Sequence, residues 1–334
     1  MSPSLVVQTS FLGDVVLTTP LLETLAARGP VTVVTTPAAG PLLEGHPAVA
    51  RLVRYDKRGA DRGLVGFLRT ARLVAAPGRD AVAYLAQGSV RSGALARAAG
   101  YRDRIGFATS AGRWWYTTAR TMPPGLHHAE RLWRLAEPDG SPAAAPPRPS
   151  LHPSPEDREG AARLLERSGA RGEALVALAP GSVWGTKRWP GFAELAGALD
   201  ARGLRPVVVG GPDDRALAAT IRATCAEAID ATGQLGLLGS AALLARCRAL
   251  VTNDSLPLHL ASAMDVPTVA VFGPTVPAFG FGPLARRSQV VEHPAMPCRP
   301  CHPHGPATCP LGHFRCMRDV TVGSVMAGLE GLLA

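Results

Sequence analysis

The chain opens on a short apolar run, Leu5-Val6-Val7, followed by polar Gln8-Thr9-Ser10. Leu17, Leu21, Leu22 and Leu25 then recur at the three- and four-residue spacing of one helix face. This pattern predicts a strand over 5–7, a loop over 8–14 in which Gly13 allows a tight turn, and a helix over 15–27. Val31-Thr32-Val33-Val34 predicts the next strand and closes a β-α-β unit. Residues 80–85 (Asp-Ala-Val-Ala-Tyr-Leu) predict a later strand, and the small-residue stretch 89–99 a helix. Strands alternating with helices imply a parallel sheet covered on both faces.

Residues 137–155 carry seven prolines in nineteen positions, which forbids a helix or a central strand and marks a linker. A second alternation follows it. Helices are expected over 155–168, 191–202 and 213–226, and strands over 175–178, 206–209, 249–252 and 268–272. A last amphipathic helix, over 320–333, has Val322, Val325, Met326, Leu329, Leu332 and Leu333 on one side. The expected fold class is α/β: two doubly wound, Rossmann-like domains, 1–150 and 151–318, then a C-terminal helix at 319–334. The carboxyl ends of two such sheets would border an interdomain cleft, and ligands bind at that edge. The pattern favours an enzyme or small-molecule binder over a scaffold.

Composition narrows this. Of 334 residues 46% are hydrophobic and 18% charged, which excludes a disordered chain. No apolar run approaches the ~20 residues of a membrane span, and residues 1–12 lack the basic start and apolar run of a signal peptide, so a cytoplasmic location is expected. The net charge of +9 is uneven. Residues 1–150 hold 18 Lys and Arg against 10 Asp and Glu, and residues 151–334 hold 17 against 16. An anionic partner for the first half follows: a nucleic acid, a membrane surface or a phosphorylated substrate. Only two of the 35 basic residues are lysines, Lys57 and Lys187.

Four segments could carry chemistry. Asp14, with Gly13 between the first strand and helix, is either a general base or a helix N-cap. The loop 180–190 holds Ser182, Thr186 and Lys187 among glycines, which suits either a phosphate site or a solvated loop; it lacks the Walker spacing. Asp254 and Ser255 begin a helix with His259 one turn in, and Gly273 and Thr275 end a strand. Each turn alone reads as a cap, and together with Lys187 at one sheet edge they favour a diphosphate. Asp213 and Asp214 after Gly210-Gly211 could meet a ribose or cap a helix. The match Gly280-x-Gly282-x-x-Ala285 contains Pro283 and follows no strand, so it is not a dinucleotide fingerprint.

Cys225 and Cys247 stand alone in helical patterns and read as small buried residues. Cys298, Cys301, Cys309 and Cys316 have the spacing C-x2-C-x7-C-x6-C, with His302, His304 and His313 among them, and offer a structural zinc site. The Arg-rich stretches 51–72 and 97–120, the latter with Trp114-Trp115-Tyr116, suit single-stranded nucleic acid, an anionic membrane or a solvated face.

Taken together, FLGDVVLTTPLL, LAPGSVWGTKRWP, VTNDSLPLHLASAM, VAVFGPTVPAFGFGP and CRPCHPHGPATCPLGHFRCM resemble, in that order, glycosyltransferase family 9, the heptosyltransferases of lipopolysaccharide core synthesis. The last three look most like its type II members. The resemblance implies a GT-B fold with the acceptor on the first domain, the nucleotide-sugar on the second, and a C-terminal helix returning to the first. It implies inverting transfer of heptose from ADP-L-glycero-D-manno-heptose to the inner-core heptose of Kdo-lipid A, with no required cofactor, at the cytoplasmic face of the inner membrane. Peripheral contact with an anionic membrane is then expected and nucleic acid is not. Asp14 matches the family's base, with Gly13 in the acceptor-side loop. Lys187 and Ser182 match the phosphate loop that also holds Thr186. Asp254, Ser255 and His259 match the donor turn, and Gly273 and Thr275 a neighbouring one. The chain departs from the family at Leu256, where Gly is usual. Another nucleotide-sugar or acceptor is the alternative within the family, and a nucleic-acid-binding α/β protein the alternative outside it.

Overall fold

A computed structural model describes residues 2–137, 148–170 and 172–334. The chain divides into two units, Met1–His152 and Pro153–Ala334. The first contains β1 (Ser4–Val7), α1 (Leu12–Ala26), β2 (Val31–Thr35), β3 (Arg51–Arg54), α2 (Gly63–Leu73), β4 (Val82–Leu85), α3 (Val90–Ala98), β5 (Asp103–Phe107), β6 (Thr118–Arg120) and α4 (His128–Trp133). The second contains α5 (Pro155–Arg167), β7 (Ala174–Ala179), α6 (Phe192–Asp200), β8 (Leu204–Val208), α7 (Arg215–Thr224), β9 (Ile229–Asp230), α8 (Leu237–Leu244), β10 (Ala249–Asn253), α9 (Leu256–Met264), β11 (Thr268–Phe272), β12 (Ser288–Glu292), α10 (Arg315–Arg318) and α11 (Val322–Leu333).

Each unit holds a six-stranded sheet, in the orders β3-β2-β1-β4-β5-β6 and β12-β11-β10-β7-β8-β9, and every pairing is parallel. Central strands β1, β10 and β11 are buried at every position, as a strand covered by helices on both faces must be. The strand order reverses between β1 and β4 in one sheet and between β7 and β10 in the other, so each sheet has a switch point.

Helix α1 begins at Leu12, earlier than the sequence pattern indicates. Gly13 and Asp14 lie in its first turn, and Phe11 is the N-cap with no side-chain cap bond. Asp14 is therefore not a cap, and Gly13 makes no tight turn. Pro20 sits inside α1 and lacks the N–H that would bond the Val16 carbonyl. The Thr19 hydroxyl donates to that carbonyl at 2.8 Å, so the acceptor is satisfied and the helix continues. Helix α5 starts on a capping box, Ser154 and Asp157 each closing on the other's backbone N–H, with Pro155 first in the helix.

Of the expected linker, residues 138–147 lie outside the described residues. Beyond them the chain is tied to the first unit: the Ser150 N–H donates to Thr19 Oγ1 at 2.9 Å, and its hydroxyl donates to Glu23. The C-terminal helix α11 clusters with the second unit, where Val325, Met326, Leu329 and Leu332 join the core beneath β10 and β11 with Val176, Val251, Val269 and Trp189. Its apolar stripe has a partner in its own sheet.

Two histidines, the buried His46 and the half-buried His128, tie stability to pH. Burial, then the neighbouring His152, lowers His46 from 6.5 to about 4, although Ser150 opposes the shift. Burial, then Arg131 and His127, lowers His128 to about 3. Between those values and 6.5 the unfolded chain binds protons that the folded chain does not. Stability present above pH 6.5 is therefore lost as pH falls towards 4, and His128 extends the loss towards 3. Urea unfolding over pH 7.5 to 4 should show this decline, and His46→Gln should flatten its upper part.

Candidate functional site

In the second unit the side chains leaving the two switch-point strands meet. Lys187, from the loop after β7, places Nζ 2.6 Å from Asp254 Oδ2, in the turn after β10, and both residues are 9% exposed. Thr275, after β11, donates its hydroxyl to the same Oδ2 at 2.7 Å. Asn253 staples the Lys187 loop to the sheet: Oδ1 accepts the Trp189 N–H at 3.0 Å and Nδ2 donates to the Pro180 carbonyl at 2.9 Å. Ser182 accepts the Trp184 N–H at 3.4 Å, and the buried Thr186 hydroxyl donates to the Pro306 carbonyl.

Ser255 precedes the nine-residue α9. Its Oγ is buried and, among the described residues, takes no hydrogen bond. A buried hydroxyl left unsatisfied where helix N–H groups converge, next to a buried lysine's partner, has the donors an anion needs. Leu256 opens α9 without backbone strain, because the non-glycine residues with positive φ are Asp265 and Phe314. His259 is buried one turn in, with its ring edge-on to Phe281 at 6.4 Å. Gly273 is required by close approach: a Cβ there would lie 2.7 Å from Cγ and Sδ of the fully buried Met317. Asp214 is used as a cap, its Oδ2 accepting the Gly211 N–H at 2.9 Å.

The first unit carries a second polar group at its own switch point. Asp14 Oδ2 accepts the Ser10 hydroxyl at 2.6 Å, and Ser10 also reaches Gln8 Oε1 at 2.7 Å. His128 Nε2, on α4, lies 3.8 Å from Asp14 Oδ1; with its pKa near 3 the ring is neutral at pH 7 and the contact is not an ion pair. Burial lowers the Arg131 guanidinium while the Asp14 charge opposes this, so Arg131 faces the carboxylate. Ser10 also lines a cavity of about 550 Å³ with Thr9, Thr36, Tyr55, Lys57, Arg58 and Gln87. Lys57 donates to the Thr9 carbonyl at 3.1 Å and to its hydroxyl at 3.2 Å. Burial, then the charges of Arg58 and Arg91, lowers its pKa. Sequence reasoning missed His128, Arg131 and this cavity, whose walls come from segments distant in the chain. The scarcity of lysine was the one signal pointing to Lys57.

Two groups of residues carry metal-ligand side chains. Among the described residues, Glu23, His46 and His152 form the group whose ligand atoms lie within 4.8 Å of one another. The Ala48 N–H donates to His46 Nδ1 at 3.2 Å, which places the ring proton on Nε2, facing Ser150 Oγ at 3.3 Å; no lone pair is left there for a cation. The four cysteines 298, 301, 309 and 316 are free thiols near enough to act on one another's charge. Burial, then Cys298 and Cys309, raises Cys301; burial, then Cys301, pushes Cys316 up to about 11. At Cys309 burial raises the pKa, and the N–H groups of Phe314, Leu311, Gly312 and His313 outweigh it, leaving the thiol below its usual value.

Residues 72–310 match the glycosyltransferase family 9 (heptosyltransferase) profile. Lipopolysaccharide heptosyltransferase 2 of Salmonella typhimurium is 28% identical over 353 residues, covering 99% of this chain and 98% of its own. Lipopolysaccharide heptosyltransferase 1 of Pseudomonas aeruginosa is 32% identical over 314 residues, covering 89% and 85%. Among solved structures, a family 9 glycosyl transferase from Veillonella parvula superposes with a TM-score of 0.88 at 25% identity, covering 99% of this chain and 97% of that one. ADP-heptose lps heptosyltransferase II of E. coli gives 0.80 at 24% identity, covering 100% and 98%. The two parallel sheets are the GT-B fold.

A buried ion pair loses more by having one partner removed than by losing both. Asp254→Ala should destabilise the protein by about 3–5 kcal/mol. Replacing both, as Lys187→Met with Asp254→Leu, should recover most of that loss. Equilibrium unfolding in urea measures both.

Proposed function

Because the chain belongs to glycosyltransferase family 9, and is therefore a glycosyltransferase, we propose that it moves heptose from ADP-L-glycero-D-manno-heptose, with inversion, to the inner-core heptose of Kdo-lipid A. The observation that carries the donor half is the preset polar group at the second switch point. Lys187 is held by Asp254, whose Oδ2 also accepts the Thr275 hydroxyl, and the Ser255 hydroxyl stands unsatisfied at the start of α9. In the reaction the acceptor hydroxyl oxygen bonds to the anomeric carbon as its proton passes to the Asp14 carboxylate. The bond from that carbon to the pyrophosphate oxygen breaks on the opposite face, and ADP leaves with both electrons. Lys187 stabilises the charge growing on the pyrophosphate, where a fixed ammonium in a buried site acts most strongly. Ser10 orients one Asp14 oxygen and leaves Oδ1 for the proton. No cofactor takes part in this displacement.

The names of relatives include both type 1 and type 2 enzymes; the motif pattern of the C-terminal third supports type II for this chain. The acceptor is assigned to the first unit, whose Lys57-lined cavity adjoins Ser10. No described helix is long and apolar enough to cross a membrane. Contact with an anionic inner-membrane surface on the cytoplasmic side falls to α2, where Leu64 and Val65 are exposed beside Arg62 and Arg69.

A transfer assay with ADP-heptose and truncated acceptors tests the reading, and preference for a different nucleotide-sugar would replace the donor assignment. Asp14→Asn should lower kcat by about 10²–10⁴-fold, the range for loss of a general base, with ADP affinity unchanged. Retained turnover removes Asp14 as the base. Lys187→Ala should weaken ADP binding about tenfold or more, as for loss of a charged hydrogen bond; an unchanged Kd by calorimetry removes Lys187 from the site.

A further inference from the structure

The Asp14 carboxylate ends a short row of oxygens that holds more acceptors than protons. Ser10 Oγ lies 2.6 Å from Asp14 Oδ2 and 2.7 Å from Gln8 Oε1. Both distances are those of a made O–H···O bond. A serine hydroxyl carries one proton, so it donates to one of these oxygens at a time.

The second acceptor is fixed by its own partners. The Thr18 hydroxyl donates to the Asp14 carbonyl at 2.6 Å, so towards Gln8, 3.1 Å away, its oxygen must accept. An accepted bond requires the amide nitrogen on that side, which turns Gln8 Oε1 to Ser10. Gln8 and Thr18 are each 1% exposed, so the arrangement is shielded from water. The Gln8 N–H donates to the Val34 carbonyl at 2.9 Å, so the side chain leaves from backbone tied to β2. On the other side of the carboxylate stands α4. His128 Nε2 lies 3.8 Å from Asp14 Oδ1, and Arg131 interacts with the Asp14 charge. With His128 lowered to about 3, neither residue changes charge near neutral pH.

We infer that Gln8 is a positioning residue that shares the Ser10 proton with Asp14 and so supports the carboxylate in both of its protonation states. This rests on the reading of Asp14 as the base. While Asp14 is charged it is the stronger acceptor, and it takes the Ser10 hydrogen. That bond fixes Oδ2 and leaves Oδ1 for the acceptor hydroxyl. Once Asp14 holds the transferred proton, its Oδ2 is a weak neutral acceptor, and Ser10 turns to the amide oxygen of Gln8. The Ser10 O–H rotates without breaking, and the buried hydroxyl keeps a partner throughout. A donor that served the charged carboxylate alone would make it a weaker base. The second acceptor favours the neutral form and restores basicity without giving up the orientation.

The test is the single-turnover rate of transfer from ADP-heptose to a truncated acceptor, measured over about pH 5 to 9. The rate falls on the acid side as the base is protonated. Ser10→Ala removes the donor to the charged form, so this acid limb should move to higher pH. Gln8→Met removes the acceptor that serves the neutral form, so the limb should move to lower pH. Each displacement should be about 0.5–1 on the pH scale, the size of one hydrogen bond. In the Ser10→Ala background, Gln8→Met should move the limb no further, because Gln8 acts through Ser10. Ser10→Thr should restore the wild-type profile. Thr18→Val releases the Gln8 amide and should move the limb in the same direction as Gln8→Met, which keeps the test open if Gln8→Met does not fold. A limb that stays in place in both the Gln8 and Thr18 variants, or that moves equally with and without Ser10, overturns the inference. Asp14→Asn separates this from the base itself. Turnover retained in that variant overturns the base and the sharing together, whereas an inactive Asp14→Asn with an unmoved limb in Gln8→Met overturns the sharing and leaves the base.

Discussion

One buried ion pair organises the second unit. Lys187 and Asp254 lie on the connections that leave the two strands flanking the switch point. Removing both charges from water costs several kcal/mol each, so the pair is no bargain for stability alone. Its value lies in placement. Asp254, itself fixed by the Thr275 hydroxyl, holds the ammonium at one point, and Asn253 pins the loop that carries it through the Pro180 carbonyl. An incoming pyrophosphate meets a cation already desolvated and oriented, which is the condition under which a charge stabilises a leaving group most.

The first unit solves a related problem with weaker bonds. Its switch point brings Thr9 after β1 together with Gln87 after β4, their side chains 3.4 Å apart, and Lys57 reaches the Thr9 carbonyl and hydroxyl. No carboxylate neutralises Lys57 in these contacts; burial, and then the positive charges of Arg58 and Arg91, lowers its pKa. A group of cations beside a cavity is strained electrostatically until an anion arrives. That fits an acceptor with phosphate groups, and it gives the basic first half a local meaning that net charge alone does not carry.

The central strands and most helices were legible because their apolar runs are uninterrupted and their flanking turns contain glycine, proline or a capping residue, as at β1, β10, β11 and α5. What escaped lies at a sheet edge, as β3 does, or one strand in from it, as β5 does. β3 (Arg-Leu-Val-Arg) and β5 (Asp-Arg-Ile-Gly-Phe) have few buried positions, and their charges read as solvated stretches. α2 escaped for the same reason, since its apolar residues Leu64 and Val65 face outward. Lys187, Asp254 and Thr275 were each legible as polar residues at strand ends, but their mutual bonding was not, because it depends on β10 lying beside β7. Asp14 read as loop because Gly13 suggested a turn, and the Thr19 hydroxyl that lets α1 run through Pro20 leaves no trace in hydrophobic periodicity.

The two lysines show why residue type at these points is constrained. Arginine supplies 33 of the 35 basic residues, yet each switch point has a lysine. A guanidinium is a planar fork that gains most from two parallel acceptors, whereas an ammonium is a compact charge with three donors in a cone. At Asp254 a single oxygen, Oδ2, takes both Lys187 and Thr275, a convergence on one point that suits a compact ammonium. Gly305 packs 3.1 Å, at its Cβ position, from Lys187 Cε, which leaves no width for a planar head. At Thr9 the two acceptors are a carbonyl and a hydroxyl of one residue, converging on a point rather than lying side by side. In a chain that uses arginine almost everywhere else, sites that need a point charge in a narrow space retain lysine, and the space is narrow because both lie where loops converge on a reversing sheet.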